Sequence, residues 1–380
     1  MSQVTNYLDR QAVQIKAFSE SFTYIKNSYN SKLYHEISLE LLKCLENAKF
    51  LQSVDLKELY DIVVDDIRAR LNPSNLAKIA GIVSVHISNE DALTFITNDV
   101  IPHLNKTSEA FIIVQTALGH LLLKKNSKAS LEDCRTVVEE TGLLLDGLSS
   151  VGTAHSEFYR LSSLYYSAMN NPAMFYTEAL KFVGCTSLTT LSNDEQCDWA
   201  RKLGIAALIG PNIFSFGELL TNPIFHSLSD SELHKWILNL IQAFSVGDLQ
   251  QVAKFRDKIA SDDLLSKHQS CMKEKALLMA ILNLMFEQMG QSRNVSFEAV
   301  AKAIGKSEDN VEMMLMRALS LGLIRGKIDG VERHITMTWL KPKVLDGEQV
   351  RKMSCRLKEW TEKINTAQNG LDGEAKGLRV

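Results

Sequence analysis

The sequence predicts a mainly α-helical protein, in which an α-solenoid of paired helices is followed by a small strand-containing module and a C-terminal helix. Three observations support this fold class. Only six prolines occur in 380 residues, and proline is the residue that most strongly interrupts a helix. Before residue 290, apolar residues recur at helical spacing and the alternation typical of strands is almost absent. After residue 290, that alternation appears.

The first 170 residues consist of successive amphipathic segments, which we interpret as an N-terminal region of helical repeats. Leu33, Ile37 and Leu41 line one face of a helix. The next helix, 56–71, ends at Asn72-Pro73 because a residue before proline is disfavoured in α geometry. Further segments of the region are 76–85, 92–104, 110–123, 131–145 and 156–169. Paired helices of this length are expected to stack side by side, each pair burying its apolar face on its neighbours.

Residues 171–342 are predicted to form a second domain, of which residues 171–290 are the helical part. Helices are expected at 173–183 and at 229–247, the latter ending at Gly247, and Asp248 begins a new helix. The connection "AFSVGDLQQVAKF" is therefore a tight helix-turn-helix of the tetratricopeptide-like (TPR-like) kind. A longer helix at 271–289 is apolar on most sides and leads into the last module.

Residues 291–342 follow the order strand, helix, helix, hairpin, which is the order of a winged helix. "NVSF" is read as a strand, a first helix stops at Gly305, and Ser307 caps a second helix that runs to Gly322. The stretch "LIRGKIDGVERHITMTWL" then alternates around Asp329-Gly330. This dipeptide suits a tight hairpin turn, since both central residues of such a turn need a positive φ.

A C-terminal assembly helix is predicted at 343–367. It carries an apolar seam with 3-4-3-4 spacing, two residues per heptad, formed by Val350, Met353, Leu357, Trp360 and Ile364. A lone helix cannot bury these side chains, and burial is worth about 1.5 to 3 kcal/mol for each large one. We therefore expect the seam to pack against partners. The Gly and Lys content of residues 368–380 predicts a flexible tail.

Composition limits the classes of function. The chain has 42 Lys and Arg against 45 Asp and Glu, a net charge of −3, so no general attraction to nucleic acid or anionic membrane is expected. Uncharged stretches are shorter than the roughly 18 residues of a spanning helix. The N-terminus lacks the basic start and apolar core of a secretion signal, which predicts a location in cytoplasm and nucleus. The six cysteines have no C-x-x-C pair, so we expect reduced thiols, no metal and no cofactor.

Four segments resemble a known family. They are "NPAMFYTEALKFVGC" (171–185), "FSFGELLTNPIFHSL" (214–228), "VEMMLMRALSLGLIRGKIDGVERHITMTWLKPKVLD" (311–346) and the stretch from there to Trp360. With these segments and its order of helical array, winged helix and trailing helix, the chain resembles the PCI-domain family. That family comprises scaffold subunits of the proteasome lid, the signalosome and translation initiation factor three, and the four segments are similar to a non-ATPase lid subunit.

The resemblance implies a non-enzymatic scaffold subunit of the proteasome regulatory-particle lid, supporting lid assembly and ubiquitin-dependent degradation in a hetero-oligomer. The partners it implies are other PCI-containing lid subunits, lid deubiquitinase subunits and a ubiquitin receptor, joined through edge-to-edge winged helices and a shared bundle of C-terminal helices. An edge strand has unpaired backbone groups that a partner strand can satisfy. The predicted partner-binding residues are Ile324, Gly326, Ile328, His334, Thr336, Thr338 and Trp339 on the hairpin, and Val350, Met353, Leu357, Trp360 and Ile364 on the seam.

Three alternatives stay open: a paralogous PCI complex, a winged-helix nucleic-acid binder and an undetected hydrolase. "AIGKS" (303–307) resembles the end of a phosphate-binding loop, but Val300 stands where the first glycine is required. The second helix of the winged helix carries three acidic residues against Arg317 alone, which would repel DNA phosphates. Of Met313, Met314 and Met316, at least one is expected to be exposed, because three methionines within four positions cannot share one face.

Overall fold

The structure is a computed structural model, and it describes residues 2–15, 18–105, 108–125, 127–148, 150–230, 234–288, 293–342, 344 and 347–377. These residues are mainly helical, and the strands among them lie between residues 294 and 340. The predicted fold class, a helical array followed by a winged helix and a C-terminal helix, is confirmed. Contacts divide the chain into two units, Met1–Thr190 and Leu191–Val380, and each is described by itself.

The first unit is a series of helices that pack mainly on their neighbours in the chain. Its longer helices are Ser2–Gln14, Ser19–Asn30, Tyr34–Glu46, Pro73–His86, Glu109–Lys125, Lys128–Asp146, Thr153–Ala168 and Pro172–Cys185, and Ala48–Ser53 is a short one. Helix Pro73–His86 packs on both Tyr34–Glu46 and Glu109–Lys125. One continuous apolar cluster extends through the unit from Val4 to Tyr165, as the stacking of helical pairs requires.

Two helical segments of this unit are irregular in the same way, which the sequence did not indicate. Each begins as α-helix, at Leu56–Leu59 and Asn89–Phe95. Each then widens to a π-helical turn and later tightens to a 3-10 turn. The π-helical turns are Tyr60–Val64 and Ile96–Val100, with Asp65–Ile67 as a short α-helical stretch after the first, and the 3-10 turns are Arg68–Arg70 and Ile101–His103. Helical spacing therefore predicted these segments but not their uneven winding.

The boundary between the two contact units falls after Thr190, and the domain boundary predicted after residue 170 lies within the first unit. Asn170 adopts a positive φ of 52°, and the Asn171 side chain accepts a hydrogen bond from the Met174 N–H at 3.3 Å. The chain thereby reverses, and helix Pro172–Cys185 packs back along Thr153–Ala168. Because the two helices form one hairpin, the contact boundary lies beyond both of them.

The second unit begins with a helical part. Its helices are Asn193–Ile209, Phe216–Thr221, His226–Asp230, Lys235–Val246, Leu249–Lys254, Arg256–Ser261, Asp263–Lys267 and Gln269–Gln288, with 3-10 turns at Leu188–Thr190 just before it and at Pro223–Phe225 within it. The helix predicted at 229–247 begins only at Lys235; residues 231–233 lie outside the described residues. Its predicted stop is confirmed, since Gly247 is left-handed with φ 73°. The predicted start of a new helix at Asp248 is also confirmed, because Asp248 Oδ1 accepts hydrogen bonds from the N–H groups of Gln250 and Gln251.

A buried lysine completes the C-terminus of helix Asn193–Ile209. The carbonyl of Ala207 would normally accept from the residue four positions on, but that residue is Pro211, which has no N–H. The Nζ of Lys275, from helix Gln269–Gln288, donates instead to the Ala207 carbonyl at 2.6 Å and to the Gly210 carbonyl at 2.9 Å. Lys275 is 3% exposed, so this donor is supplied from within the core.

The winged helix has a three-stranded antiparallel sheet with strand order β1-β3-β2. The strands are β1 (Asn294–Ser296), β2 (Ile324–Asp329) and β3 (His334–Leu340), and the helices are Phe297–Ile304 and Val311–Ser320, the second preceded by the 3-10 turn Glu308–Asn310. Gly305 ends the first helix in the left-handed region at φ 62°, as predicted. The sheet thus leaves β2 at one side and β1 at the other.

The predicted tight turn at Asp329-Gly330 is wrong. The strands end at Asp329 and resume at His334, and the residue with positive φ is Arg333, at 48°. The N–H groups of Glu332 and Val331 both donate to Asp329 Oδ1 at 3.0 Å and hold the pKa of this carboxyl below its usual value. A carboxylate that accepts its own loop's N–H groups stabilises a wider turn than backbone pairing alone would give.

The C-terminal helix spans Gly347–Gly377. It therefore continues past residue 367, where the sequence indicated the start of a flexible tail, and residues 378–380 lie outside the described residues. The residue types beyond 367 include the helix formers Leu371 and Ala375, which is consistent with continuation. Among the described helices, none combines the length and the hydrophobicity of a membrane-spanning segment.

Candidate protein interaction surfaces

The outer edge of β2 is the first candidate surface. β3 lies between β1 and β2, so among the described residues no strand pairs with the outer edge of β2. Of the predicted hairpin residues, Ile324 is buried, Gly326, Ile328, His334 and Thr336 are half-buried, and Thr338 and Trp339 are exposed. Ile324 thus contributes its side chain to the core and only its backbone to the edge. Gly326 and Ile328 lie on β2 itself, whereas His334, Thr336, Thr338 and Trp339 lie on β3, the central strand between β1 and β2.

A β-bulge shapes this hairpin. Arg325 pairs with Trp339 but Gly326 pairs with Met337, so Thr338 is the extra residue on β3. The Thr338 hydroxyl donates to the Arg325 carbonyl at 3.0 Å. A Cβ on Gly326 would lie 2.3 Å from the Thr336 carbonyl oxygen, which explains why only glycine fits.

The bulge also determines how Trp339 is presented. Met337 is buried, and the extra residue after it breaks the alternation, so that Trp339 stays 36% exposed. The guanidinium of Arg325 lies 4.9 Å from the Trp339 ring centroid, a cation–π contact on the protein surface. An aromatic ring already held in place at a surface is a typical anchor for a protein partner.

The second helix of the winged helix is a poor DNA-reading surface. Its basic residue Arg317 is paired with Glu274 at 2.9 Å, and Arg333 of the hairpin loop is paired with Glu308 at 2.8 Å. Two cations that could contact phosphates are therefore already neutralised by carboxylates. Met313 and Met316 of this helix are exposed and Met314 is buried, which confirms that the three methionines do not share one face.

The seam of the C-terminal helix is the second candidate surface. Its exposed fractions are 52% for Val350, 46% for Met353, 56% for Leu357, 64% for Trp360 and 53% for Ile364. These values leave a continuous apolar stripe open along the helix, flanked by exposed basic residues such as Arg356 and Lys358. Exposure of an apolar stripe to water is unfavourable, and burying it against a partner would contribute about 1.5 to 3 kcal/mol of free energy for each large side chain.

The seam is longer than the sequence indicated. Leu371 is 68% exposed and lies on the same helix, seven positions after Ile364. With Ala367 between them the spacing is again 3 and 4, so the heptad pattern runs to Leu371. The signal was present in the sequence, but the small side chain of Ala367 and the glycines around Leu371 concealed it.

Among the described residues, no three His, Cys, Asp or Glu side chains lie close enough together to hold a metal ion. The apparent phosphate-loop segment is also accounted for structurally. Val300 is fully buried inside helix Phe297–Ile304, and Gly305 is that helix's left-handed stop.

Comparison with known proteins relates both units to one group. Residues 21–241 match the family described as PSD13 N-terminal repeats, and residues 252–339 match the PCI domain. The chain is 30% identical to 26S proteasome non-ATPase regulatory subunit 13 of Dictyostelium discoideum, over 95% of this chain and 94% of that protein. It is 28% identical to the probable 26S proteasome regulatory subunit rpn9 of Schizosaccharomyces pombe, over 99% and 98%.

A more distant relative bears on the paralogous alternative. Eukaryotic translation initiation factor 3 subunit M of Nematostella vectensis is 25% identical over only 48% of this chain and 46% of that protein. The four quoted sequence segments are similar to non-ATPase lid subunit nine, and the near full-length match to a protein named rpn9 confirms that resemblance.

Proposed function

The chain belongs to the family of 26S proteasome non-ATPase regulatory subunit 13, and we propose that it is a structural scaffold subunit of the proteasome regulatory-particle lid. The observation that carries the proposal is the exposed seam. It is an apolar stripe on the C-terminal helix, which follows a winged helix whose strand β2 has an outer edge that no described strand pairs with. Both features are incomplete in a lone subunit and suited to a hetero-oligomer.

We assign the assembly contacts to two places. The β2 edge and Trp339 would receive the winged helix of another PCI subunit, since an open edge strand is completed by a partner strand. The seam would enter a bundle of C-terminal helices, where its apolar residues become buried. The deubiquitinase subunits and a ubiquitin receptor of the lid would be neighbours positioned by these contacts.

We further propose that the subunit has no catalytic activity and works where the proteasome does, in cytoplasm and nucleus. The failed phosphate-loop pattern and the paired cations of the winged helix support a role in protein contacts over catalysis or DNA binding. The near full-length similarity to subunit 13 proteins favours the proteasome over initiation factor three.

Affinity purification of the tagged full-length chain, followed by mass spectrometry, tests the proposal. We expect lid subunits of the regulatory particle to be recovered, together with the rest of the proteasome at low salt. Recovery of initiation factor three or signalosome subunits in their place would assign the chain to a paralogous complex. Recovery of none of these would contradict the scaffold role itself.

A further inference from the structure

We propose that Phe214, Ser215, Phe216 and Gly217 form a clamp that fixes where, and in which direction, the C-terminal helix leaves the winged helix. These residues open the segment "FSFGELL", which carried part of the family resemblance but has no role in either assembly surface. The inference deepens the proposed function, because the clamped helix is the one that carries the seam.

Two described residues between β3 and the C-terminal helix, Lys341 and Val344, lie against the clamp. After β3 ends, the Lys341 N–H donates to the Leu323 carbonyl at 2.8 Å, and its Nζ lies 5.9 Å from the Phe214 ring centroid. Three residues later, Val344 packs on Gly217. Lys341 and Val344 are therefore both held, the first by a backbone hydrogen bond and the second by packing on Gly217.

Gly217 is the residue that permits the second contact. A Cβ at this position would lie 2.9 Å from Val344 Cβ and 3.2 Å from the Val344 carbonyl oxygen. Gly217 does not have a positive φ, so its backbone conformation does not require glycine. It is the second residue of helix Phe216–Thr221, and glycine is a poorer helix former than alanine. The close approach of Val344 is therefore the structural reason for glycine.

The clamp is itself held by the helical part of the second unit. The rings of Phe214 and Phe216 have centroids 5.4 Å and 5.2 Å from the buried Nζ of Lys275. Phe216 is 1% exposed and its ring packs on Phe244, with centroids 5.7 Å apart. Because a close-packed core of this kind deforms little, residues that pack on the clamp are held in a defined position.

The clamp and the linker residues Lys341 and Val344 also line one small pocket, together with Met279 and Leu282 of the long helix. Fixing the helix beforehand lowers the ordering cost of binding when the seam meets its partners. Loss of the clamp should therefore widen the range of helix positions without unfolding the unit.

The distance between spin labels on the full-length chain measures this range directly. One label is placed on the exposed Cys355 of the C-terminal helix and the other on Lys327→Cys of β2, with the three half-buried cysteines changed to serine in every variant. We expect a narrow distance distribution for this parent protein. Gly217→Ala should widen it roughly twofold, because the freed linker becomes a flexible tether.

Two further variants make the result decisive. Val344→Ser removes the methyl groups that pack on Gly217 without adding volume, and it should widen the distribution as well. Gly330→Ala, at a glycine with no atom within 4 Å of its added Cβ, should leave it unchanged. The proposal is overturned if the parent distribution is already as broad as that of Gly217→Ala, if neither Gly217→Ala nor Val344→Ser widens it, or if Gly217→Ala unfolds the unit.

The measurement uses the isolated chain, so it is independent of the purification that tests the proposed function. A widened distribution in a chain that recovers no proteasome subunits would retain the clamp and reject the lid assignment. Unchanged distributions in a chain that does recover lid subunits would reject the clamp alone.

Discussion

Replacing Lys275 by methionine tests how the core of the second unit is held together. Lys275 Nζ has two acceptors, the carbonyls of Ala207 and Gly210, and a neutral amine has two N–H donors to match them. Burial lowers the pKa of Lys275 from 10.5 to about 7. Methionine has a similar length but no donor, so Lys275→Met leaves both carbonyls without this partner.

The sign of the pH effect follows from the lowered pKa. In the unfolded chain the amine stays protonated up to its ordinary pKa, whereas in the folded protein it loses its proton from about pH 7 upward. The unfolded state then binds more protons, so the stability contributed by Lys275 rises with pH and is lost as pH falls toward 7. The free energy of unfolding rises by about 1.4 kcal/mol per pH unit where the folded protein has lost the proton and the unfolded chain has kept it. Between pH 7 and 9 the total increase is about 2 kcal/mol.

Urea unfolding at pH 7, 8 and 9, followed by tryptophan fluorescence, measures this gain. All four tryptophans, Trp199, Trp236, Trp339 and Trp360, lie in the second unit, so the signal reports that unit. We expect the stability difference between the parent and Lys275→Met to grow by about 2 kcal/mol across this range. The exposed Lys273→Met on the same helix serves as the control and should show a constant difference.

An unchanged or shrinking difference for Lys275→Met would refute this reasoning. It would mean that the folded protein keeps Lys275 charged, held by the two carbonyls and by the rings of Phe214 and Phe216.

Two other predictions concern the hairpin and the first unit. Gly326→Ala should lower the free energy of unfolding of the second unit in urea by about 2 to 3 kcal/mol, because its Cβ collides with a backbone carbonyl. Gly330→Ala should change this free energy little, and equal effects of the two variants would contradict the bulge geometry. Burial, with Arg160 and Lys124 nearby, lowers the pKa of His120 to about 4, so its stabilising contribution falls away below pH 6.5. Between pH 6.5 and 5, thermal unfolding followed by circular dichroism should show that the free energy of unfolding falls by about 1 to 2 kcal/mol more in the parent than in His120→Gln. Equal decreases in the two proteins would show that His120 is not buried in its neutral form.

The elements that could be predicted from the sequence are those with a local cause. Gly247 and Gly305 end helices because each adopts a left-handed φ that glycine tolerates best. The seam was predictable since 3-4 spacing places its residues on one face of any helix, whatever surrounds it. The order of helices and strands in the winged helix was likewise predictable, because the spacing of apolar residues changes from the helical period to the alternation typical of strands.

The features that could not be predicted depend on contacts between distant segments. The hairpin loop is wider than expected because the Asp329 carboxylate accepts N–H groups, a choice that the dipeptide Asp329-Gly330 alone does not determine. The contact between Gly217 and Val344 joins residues far apart in sequence, and no local pattern marks it. The donor that Lys275 supplies to the Ala207 carbonyl is of the same kind, because the two residues are far apart in sequence.

The central claim is that the seam joins this subunit to its assembly. Leu357→Asp combined with Trp360→Asp tests it most directly, because both side chains are exposed, at 56% and 64%, so their replacement should leave the folded chain intact. Cys355→Asp, an exposed position of the same helix off the seam, is the matched control. Each tagged full-length variant is purified from cells, and the recovered lid subunits are quantified by mass spectrometry.

Burying two such side chains is worth about 3 to 6 kcal/mol, and 1.4 kcal/mol corresponds to tenfold in affinity. We therefore predict that the double variant, with an unchanged melting midpoint, recovers at least about tenfold fewer lid subunits than Cys355→Asp. Equal recovery by the two proteins would contradict the account.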